Sequence, residues 1–172
     1  LKRGASLKYY GMDLNSRLPK ISPLNGLRIY PVEDFDALLY EPHPFYGAKA
    51  SARKRTLLAA FARLSQQVPQ RLFAFVSEMH GHFAGMGVTY IHNDVVVGYD
   101  FAVVKALRRQ GIGAAMLLAM GENAIRQGAV CAALLSSTDG LKFYPHFGFR
   151  PVGIYPTFVY NRVMQKQDEA VR

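Results

Sequence analysis

The stretch ALRRQGIGAAML, residues 106–117, gathers Arg108, Arg109, Gln110, Gly111 and Gly113 where an apolar run turns into a helical pattern. The first amides of a helix have no intrahelical acceptor and carry partial positive charge. Two glycines strip away β-carbons that would keep a ligand off that backbone, and two arginines add formal charge. The chemistry on offer is the seating of an anion, with a pyrophosphate the best match. A tight, closely packed turn is the plainer alternative. A P-loop would need Gly-Lys-Ser/Thr, which is absent. A dinucleotide fingerprint would need glycine where Met116 stands. It would also need an acid at the end of the next strand, where the chain has Ser136 and Ser137.

Further along, FYPHFGF (143–149) sets Tyr144 among aromatics. A phenol can donate a proton to a more basic developing charge, whereas a packed ring beside Phe143 and Phe147 needs no such role. Residues that could take up a proton are Glu78, His80, His82, His92 and Asp100. Histidine titrates in the useful range. His80 and His82 have no third ligand at a recognisable spacing, so no metal site is expected. The single Cys131 excludes an internal disulfide framework and lies in the apolar run AVCAALLSS, where a buried, inert thiol is expected. That usage fits a cytoplasmic protein.

These groups need elements to hold them. The 172 residues, half of them hydrophobic, suit one domain with a sizeable core. No apolar run reaches the ~18 residues of a membrane helix. LRIYPV (27–32) reads as a strand, and EDFDALLYE (33–41) as a short helix with acids in its first turn. A loop over 42–50 precedes a helix capped by Ser51, in which Leu57, Leu58, Phe61, Leu64 and Val68 recur at helical spacing up to Pro69. Strands at 71–78, 86–92 and 95–104 form an antiparallel meander rich in Val, Tyr and Phe. A helix over 112–127 buries Ile112, Met116, Leu117, Met120 and Ala124 and ends at Gly128. The strand at 129–137 then returns parallel to 95–104 by a right-handed crossover. A short helix broken near Pro145, one or two final strands up to 163 and a tail at 165–172 complete the chain.

The net charge of +9 is uneven: residues 1–30 carry six Lys or Arg against one Asp, and 101–150 carry six against two acids. Residues 1–26 lack periodicity and read as a basic N-terminal arm or leader outside a domain spanning 27–164. A basic surface serves nucleic acid, a membrane or a polyphosphate ligand, or simply solubility.

The run VVKALRRQGIGA resembles the acetyl-CoA signature of the GCN5-related N-acetyltransferases (GNAT), Gln/Arg-x-x-Gly-x-Gly/Ala after a strand. FYPHFGF resembles the second signature of that family, Leu/Phe-Tyr-x-x-x-Gly-Phe. The resemblance covers about residues 27–163. It implies an α/β fold of mixed α+β type with a six- or seven-stranded sheet. Its parts would be an antiparallel N-terminal meander, one parallel pair splayed at the cofactor site, and about four flanking helices. The implied activity is transfer of an acetyl group from acetyl-CoA to an amine by direct attack. Phe101, Ala102 and Val103 would hold the pantetheine arm and thioester carbonyl. Arg108, Arg109, Gln110, Gly111, Ile112, Gly113 and Ala114 would bind the pyrophosphate, with Ser137, Gly140, Phe143 and Tyr144 completing the cofactor site. Tyr144 matches the general acid of the family. Asp100 and Glu78 are candidate bases, with ordered water as the alternative. Lys105 stands where the family often has Pro, and SSTDG replaces its usual Asn, as in a minority variant.

The acceptor pocket would draw on the 41–50 loop, the early helices and a loop near 153–158, in which EPHPFYG and GIYPTF are aromatic and largely uncharged. They suit a small or partly apolar amine, and Glu41 and Asp100 could attract a cation. The expected acceptor is a small-molecule amine or a protein or peptide amine, with no membrane partner, nucleic acid disfavoured and a homodimer left open. The rival readings are a non-catalytic CoA-type binding module, a basic nucleic-acid-binding domain and an NAD-type oxidoreductase.

Overall fold

The computed structural model describes residues 2–15, 18–32, 35 and 48–159, without the side chains of 2–6, 48–54 and 157–159. Its strands are β1 (Lys2–Asp13), β2 (Leu27–Val32), β3 (Leu72–Met79), β4 (His82–His92), β5 (Val95–Val103), β6 (Cys131–Ser136) and β7 (Arg150–Val159). The α-helices are α1 (Ala48–Gln67) and α2 (Ile112–Arg126). Among the described residues these two helices and three short 3-10 turns stand where about four helices are expected from the sequence. Apart from Phe35, the expected helix at 33–41 lies outside the described residues, as do 42–47 of the expected 42–50 loop, the last strand residues and the tail; Ala48–Ala50 are already helical, so Ser51 falls inside α1 instead of capping it. No described helix is long and apolar enough to cross a membrane.

One mixed sheet runs in the order β2-β3-β4-β5-β6-β1-β7, with β5 and β6 its parallel pair. Tight turns make the meander. His80 (φ 52°) and Gly81 (φ 80°) turn β3 into β4, and Asn93 (φ 54°) turns β4 into β5. Period-2 alternation then assigns the faces. Ala74, Val76, Met86 and Val88 pack under Leu58 and Ala62 of α1. Gly85 and Gly87 face the other way, toward Met116 and Met120 of α2. A β-carbon on Gly85 would sit 2.8 Å from the Ala102 carbonyl oxygen and 2.8 Å from Met116 Sδ. The two glycines therefore let α2 lie close against the strands that carry the site.

The N-terminal residues depart from expectation. Residues 2–13 are not an arm: β1 lies inside the sheet, antiparallel to β6 on one side and β7 on the other. Tyr10 and Met12 of β1, and Leu14 just after it, alternate inward and join Ile91, Val96, Ala132, Leu134 and Phe149 in a core cluster. Burying a side chain of this size contributes about 1.5–3 kcal/mol, which outweighs the weak repulsion among basic residues on the same strand. The basic residues had hidden this alternation. From β1, the chain runs past α2, with Leu18 against Gly121 and Leu24 against Gly111, to the far edge of the sheet.

Candidate active site

β5 and β6 pair from Val95↔Cys131 to Gly98↔Leu134 and then part. β5 runs on to Val103 and β6 to Ser136, so a wedge opens between their ends. The cause is a bulge. Tyr99 pairs with Val88 and Ala102 with Met86, so Asp100 and Phe101 together oppose Gly87. Asp100 adopts φ 50°, a conformation aspartate tolerates better than most residues. A β-carbon on Gly87 would come within 3.0 Å of Phe101 Cδ2, so the glycine makes room for the bulge. Past the parting, the β6-facing edge of Phe101–Val103 has no ladder partner among the described residues.

The quoted junction closes one side of this wedge. A 3-10 turn over Lys105–Leu107 leads to Arg109 (φ 62°) and Gly111 (φ 84°), and α2 starts at Ile112. The Ala115 N–H bonds the Gly111 carbonyl at 3.0 Å, so the amides before it precede the intrahelical ladder. Leu24 backs Gly111 and packs with Ile112 and Met116. The opposite wall is a pair of 3-10 turns, Asp139–Lys142 and Tyr144–Phe147. Gly140 lets them fold tightly, since a β-carbon there would sit 2.6 Å from both Ser136 Oγ and Tyr144 Cε2. Phe143 stacks on Phe101 at 6.0 Å between centroids and ties the walls together.

Between the walls lies a cleft of about 350 Å³. Phe101, Ala102, Val103, Arg108, Arg109, Gly111, Gly113, Ala114, Ser137, Gly140, Phe143 and Tyr144 line it, all of them expected from the sequence. Asp139 also lines it and was missed. Two expected residues do not line it. Gln110 is exposed and turns its amide back to the Ala106 carbonyl at 3.4 Å. Ile112 is 1% exposed because its side chain completes the core under the corner.

Arg108 bridges the mouth. Its Nε donates to the Val103 carbonyl at 3.1 Å and its Nη1 meets Asp139 Oδ2 at 3.3 Å. Both side chains are well exposed, so the pair is weak and can rearrange around an anion. Tyr144 is buried, enclosed by the rings of Tyr10, Phe101, Phe143 and Phe149. That desolvation pushes its phenol up to about 12, so at neutral pH it keeps its proton and can donate it.

The candidate bases do not meet in the cleft. Glu78 accepts a hydrogen bond from Tyr30 at 2.7 Å and pairs across strands with Arg28, toward the sheet edge. Asp100 forms the bulge but does not line the cleft. His80 and His82 flank the β3–β4 turn while His92 ends β4 against Tyr90. Cys131 is half-buried at the start of β6.

The site is thus a wedge between parted parallel strands, closed by a glycine-bearing helix start and an aromatic turn. Residues 70–151 match the family model described as "Acetyltransferase (GNAT) domain". A GCN5-related N-acetyltransferase from Sphaerobacter thermophilus superposes with a TM-score of 0.67 at 18% identity, over 90% of this chain and 50% of that one. A second, from Kribbella flavida, gives 0.58 at 18% identity, over 90% and 58%. An aminoglycoside acetyltransferase from an uncultured soil metagenomic sample gives 0.62 at 18% identity, over 78% and 99%. At these identities the likeness is one of fold. The chain spans only 50–59% of the length of the first four structures it resembles. No curated protein matches it.

Proposed function

We propose that the protein is an N-acetyltransferase that takes its acetyl group from acetyl-CoA and passes it to an amine. The single observation that carries this reading is the convergence of both signature segments on one cleft of about 350 Å³. Its basic mouth and open glycine corner fit a diphosphate. Acetyl-CoA supplies the acetyl group as a thioester, whose carbonyl carbon accepts the amine as sulfur leaves.

Arg108, Arg109 and the backbone from Gly111 to Ala114 hold the diphosphate. The unladdered edge of Phe101–Val103 holds the pantetheine arm, and an amide there steadies the developing oxyanion, worth about 3 kcal/mol in other enzymes. Phe143, Ser137 and Gly140 form the facing wall. Tyr144 hydrogen-bonds the departing sulfur. An ordinary thiol titrates near ~8.5, so full transfer from a phenol at about 12 runs uphill. The phenol therefore steadies the negative charge on sulfur and recovers any donated proton from the amine nitrogen, which must lose one as the C–N bond forms. Neither Glu78 nor Asp100 lines the cleft, which favours water as the first proton acceptor.

A thermal shift assay with acetyl-CoA, CoA and NAD tests the cofactor: the first two raise the melting temperature and NAD does not. Stabilisation by NAD alone would support the oxidoreductase reading. Gly113→Tyr fills the space beside Phe143 and Val103 and abolishes the CoA shift while the fold survives. Thiol release over an amine panel tests the reaction. Tyr144→Phe lowers kcat about 100-fold and leaves CoA binding within about twofold. Wild-type CoA binding with no turnover on any amine would support the non-catalytic module.

A further inference from the structure

We infer that Tyr10, on the N-terminal strand, is a positioning residue for Tyr144, so that β1 completes the active site from outside the matched domain. The inference rests on the acetyltransferase reading above.

Tyr10 is 4% exposed and sits where β1 is hydrogen-bonded on both sides, opposite Leu134 of β6 and Pro151 of β7. Its ring lies 6.3 Å from the Tyr144 ring at 42°, and its hydroxyl donates to the Leu141 carbonyl at 3.4 Å. Leu141 belongs to the turn that places Asp139 and Gly140 in the cleft wall. One side chain therefore braces both the Tyr144 ring and the turn that precedes it.

Such a brace is needed. Short 3-10 turns have poor hydrogen-bond geometry and do not fix a side chain by themselves. Of the four rings around Tyr144, Phe101 and Phe143 line the cleft, whereas Tyr10 and Phe149 do not and hold it from behind. A misplacement of about 1 Å in a reacting group can lower a rate by about 100-fold. The 3.4 Å hydrogen bond is long, so ring packing carries most of the bracing. The neighbouring Tyr9 points to the opposite face, 41% exposed against Tyr155, and serves as a control on the same strand.

The test compares Tyr10→Leu, Tyr10→Phe and Tyr9→Leu in the whole chain. Two readouts are taken: kcat and KM for acetyl-CoA, and an NMR titration of the ring-labelled Tyr144 phenol. Tyr10→Leu lowers kcat about tenfold with KM within about twofold, and brings the Tyr144 titration down toward an ordinary phenol as water reaches the ring. Tyr10→Phe keeps the ring and restores both to within about threefold. Tyr9→Leu changes neither. A folded Tyr10→Leu protein with wild-type kcat and titration overturns the inference, as does Tyr9→Leu matching its effects. If Tyr10→Leu does not fold, Tyr10→Met, which adapts better to an irregular gap, is read in its place. If the wild-type chain acetylates no amine, the functional reading fails separately, and the Tyr144 titration alone decides the bracing.

Discussion

The sheet divides at the seam between β5 and β6, and its two halves are built differently. β3, β4 and β5 follow one another through tight turns, and β2 pairs beside them. The other half assembles β6, β1 and β7 from residues 131–136, 2–13 and 150–159, which are far apart in the chain. The cleft opens where the halves join. One wall, the β5–α2 corner, follows from local sequence. The other wall, the 139–147 turns, rests on Tyr10 of β1 and Phe149 beside β7. The chemistry of the site can thus be sequence-local while its rigidity is not.

The largest effect should come from breaking the non-local half. Met12 is 7% exposed in the core cluster of β1. Met12→Lys buries an unpaired charge and should lower stability by about 3 kcal/mol or more, read from denaturant unfolding. A lysine at Leu57 of α1, which is 41% exposed, should change it by no more than about 0.5 kcal/mol. If Met12→Lys leaves the unfolding midpoint unmoved, β1 is a loose arm after all and the comparison collapses.

Next in size is an alkaline effect at the join. Burial pushes the Tyr144 phenol from the ordinary value of 10.0 up to about 12 in the fold. The folded state therefore holds its proton more tightly, so this group's contribution is intact below pH 10 and is lost as pH rises through 12. Two pK units correspond to about 2–3 kcal/mol at full titration. Tyr144→Phe should lose less stability than wild type between pH 10 and 12. Parallel stability curves for the two proteins would show that the phenol is not desolvated and that its ring cage is open.

Within the local half, Gly85→Ala should cost about 2 kcal/mol. Its β-carbon meets the backbone oxygen of Ala102 at 2.8 Å, which cannot yield as a flexible side-chain tip can. Gly81→Ala offers the contrast, because nothing lies within 4 Å and only its φ of 80° opposes the change. Equal losses would mean that turn conformation, not the close approach of α2, sets the need for glycine.

The same division decides what could be read beforehand. That Arg108, Gly111, Gly113 and Tyr144 share one cleft was legible because seating an anion and donating a proton would demand particular residue types at short spacing. The meander and the parallel crossover were legible because period-2 runs and turn residues are local signals. β1 was not, since Lys2, Arg3 and Lys8 gave it the look of a solvated arm. Only the alternation of Tyr10, Met12 and Leu14 betrayed an inward face. Ile112 is divided between corner and core. Its backbone belongs to the corner, but its side chain obeys the helix periodicity that had already marked it as core. Asp139 stood in SSTDG beside a glycine and could be found only by asking which acid would face the arginines.

The smallest effect bears on that acid and on how the two walls share charge. Asp139 puts a negative group at the mouth of a cleft that we propose seats a diphosphate, and it holds Arg108 at 3.3 Å. If repulsion of the ligand dominates, Asp139→Asn tightens CoA binding, because the carboxylate is gone and Arg108 is free to turn inward. The exposure of both groups keeps the gain to about two- to threefold at low ionic strength, and salt erases it. Isothermal titration with CoA at low and high salt measures this directly. Weaker binding in Asp139→Asn would reverse the reading. The carboxylate would then be what holds Arg108 in a useful pose against the Val103 carbonyl, and the non-local wall would organise the anion seat as well as the proton donor.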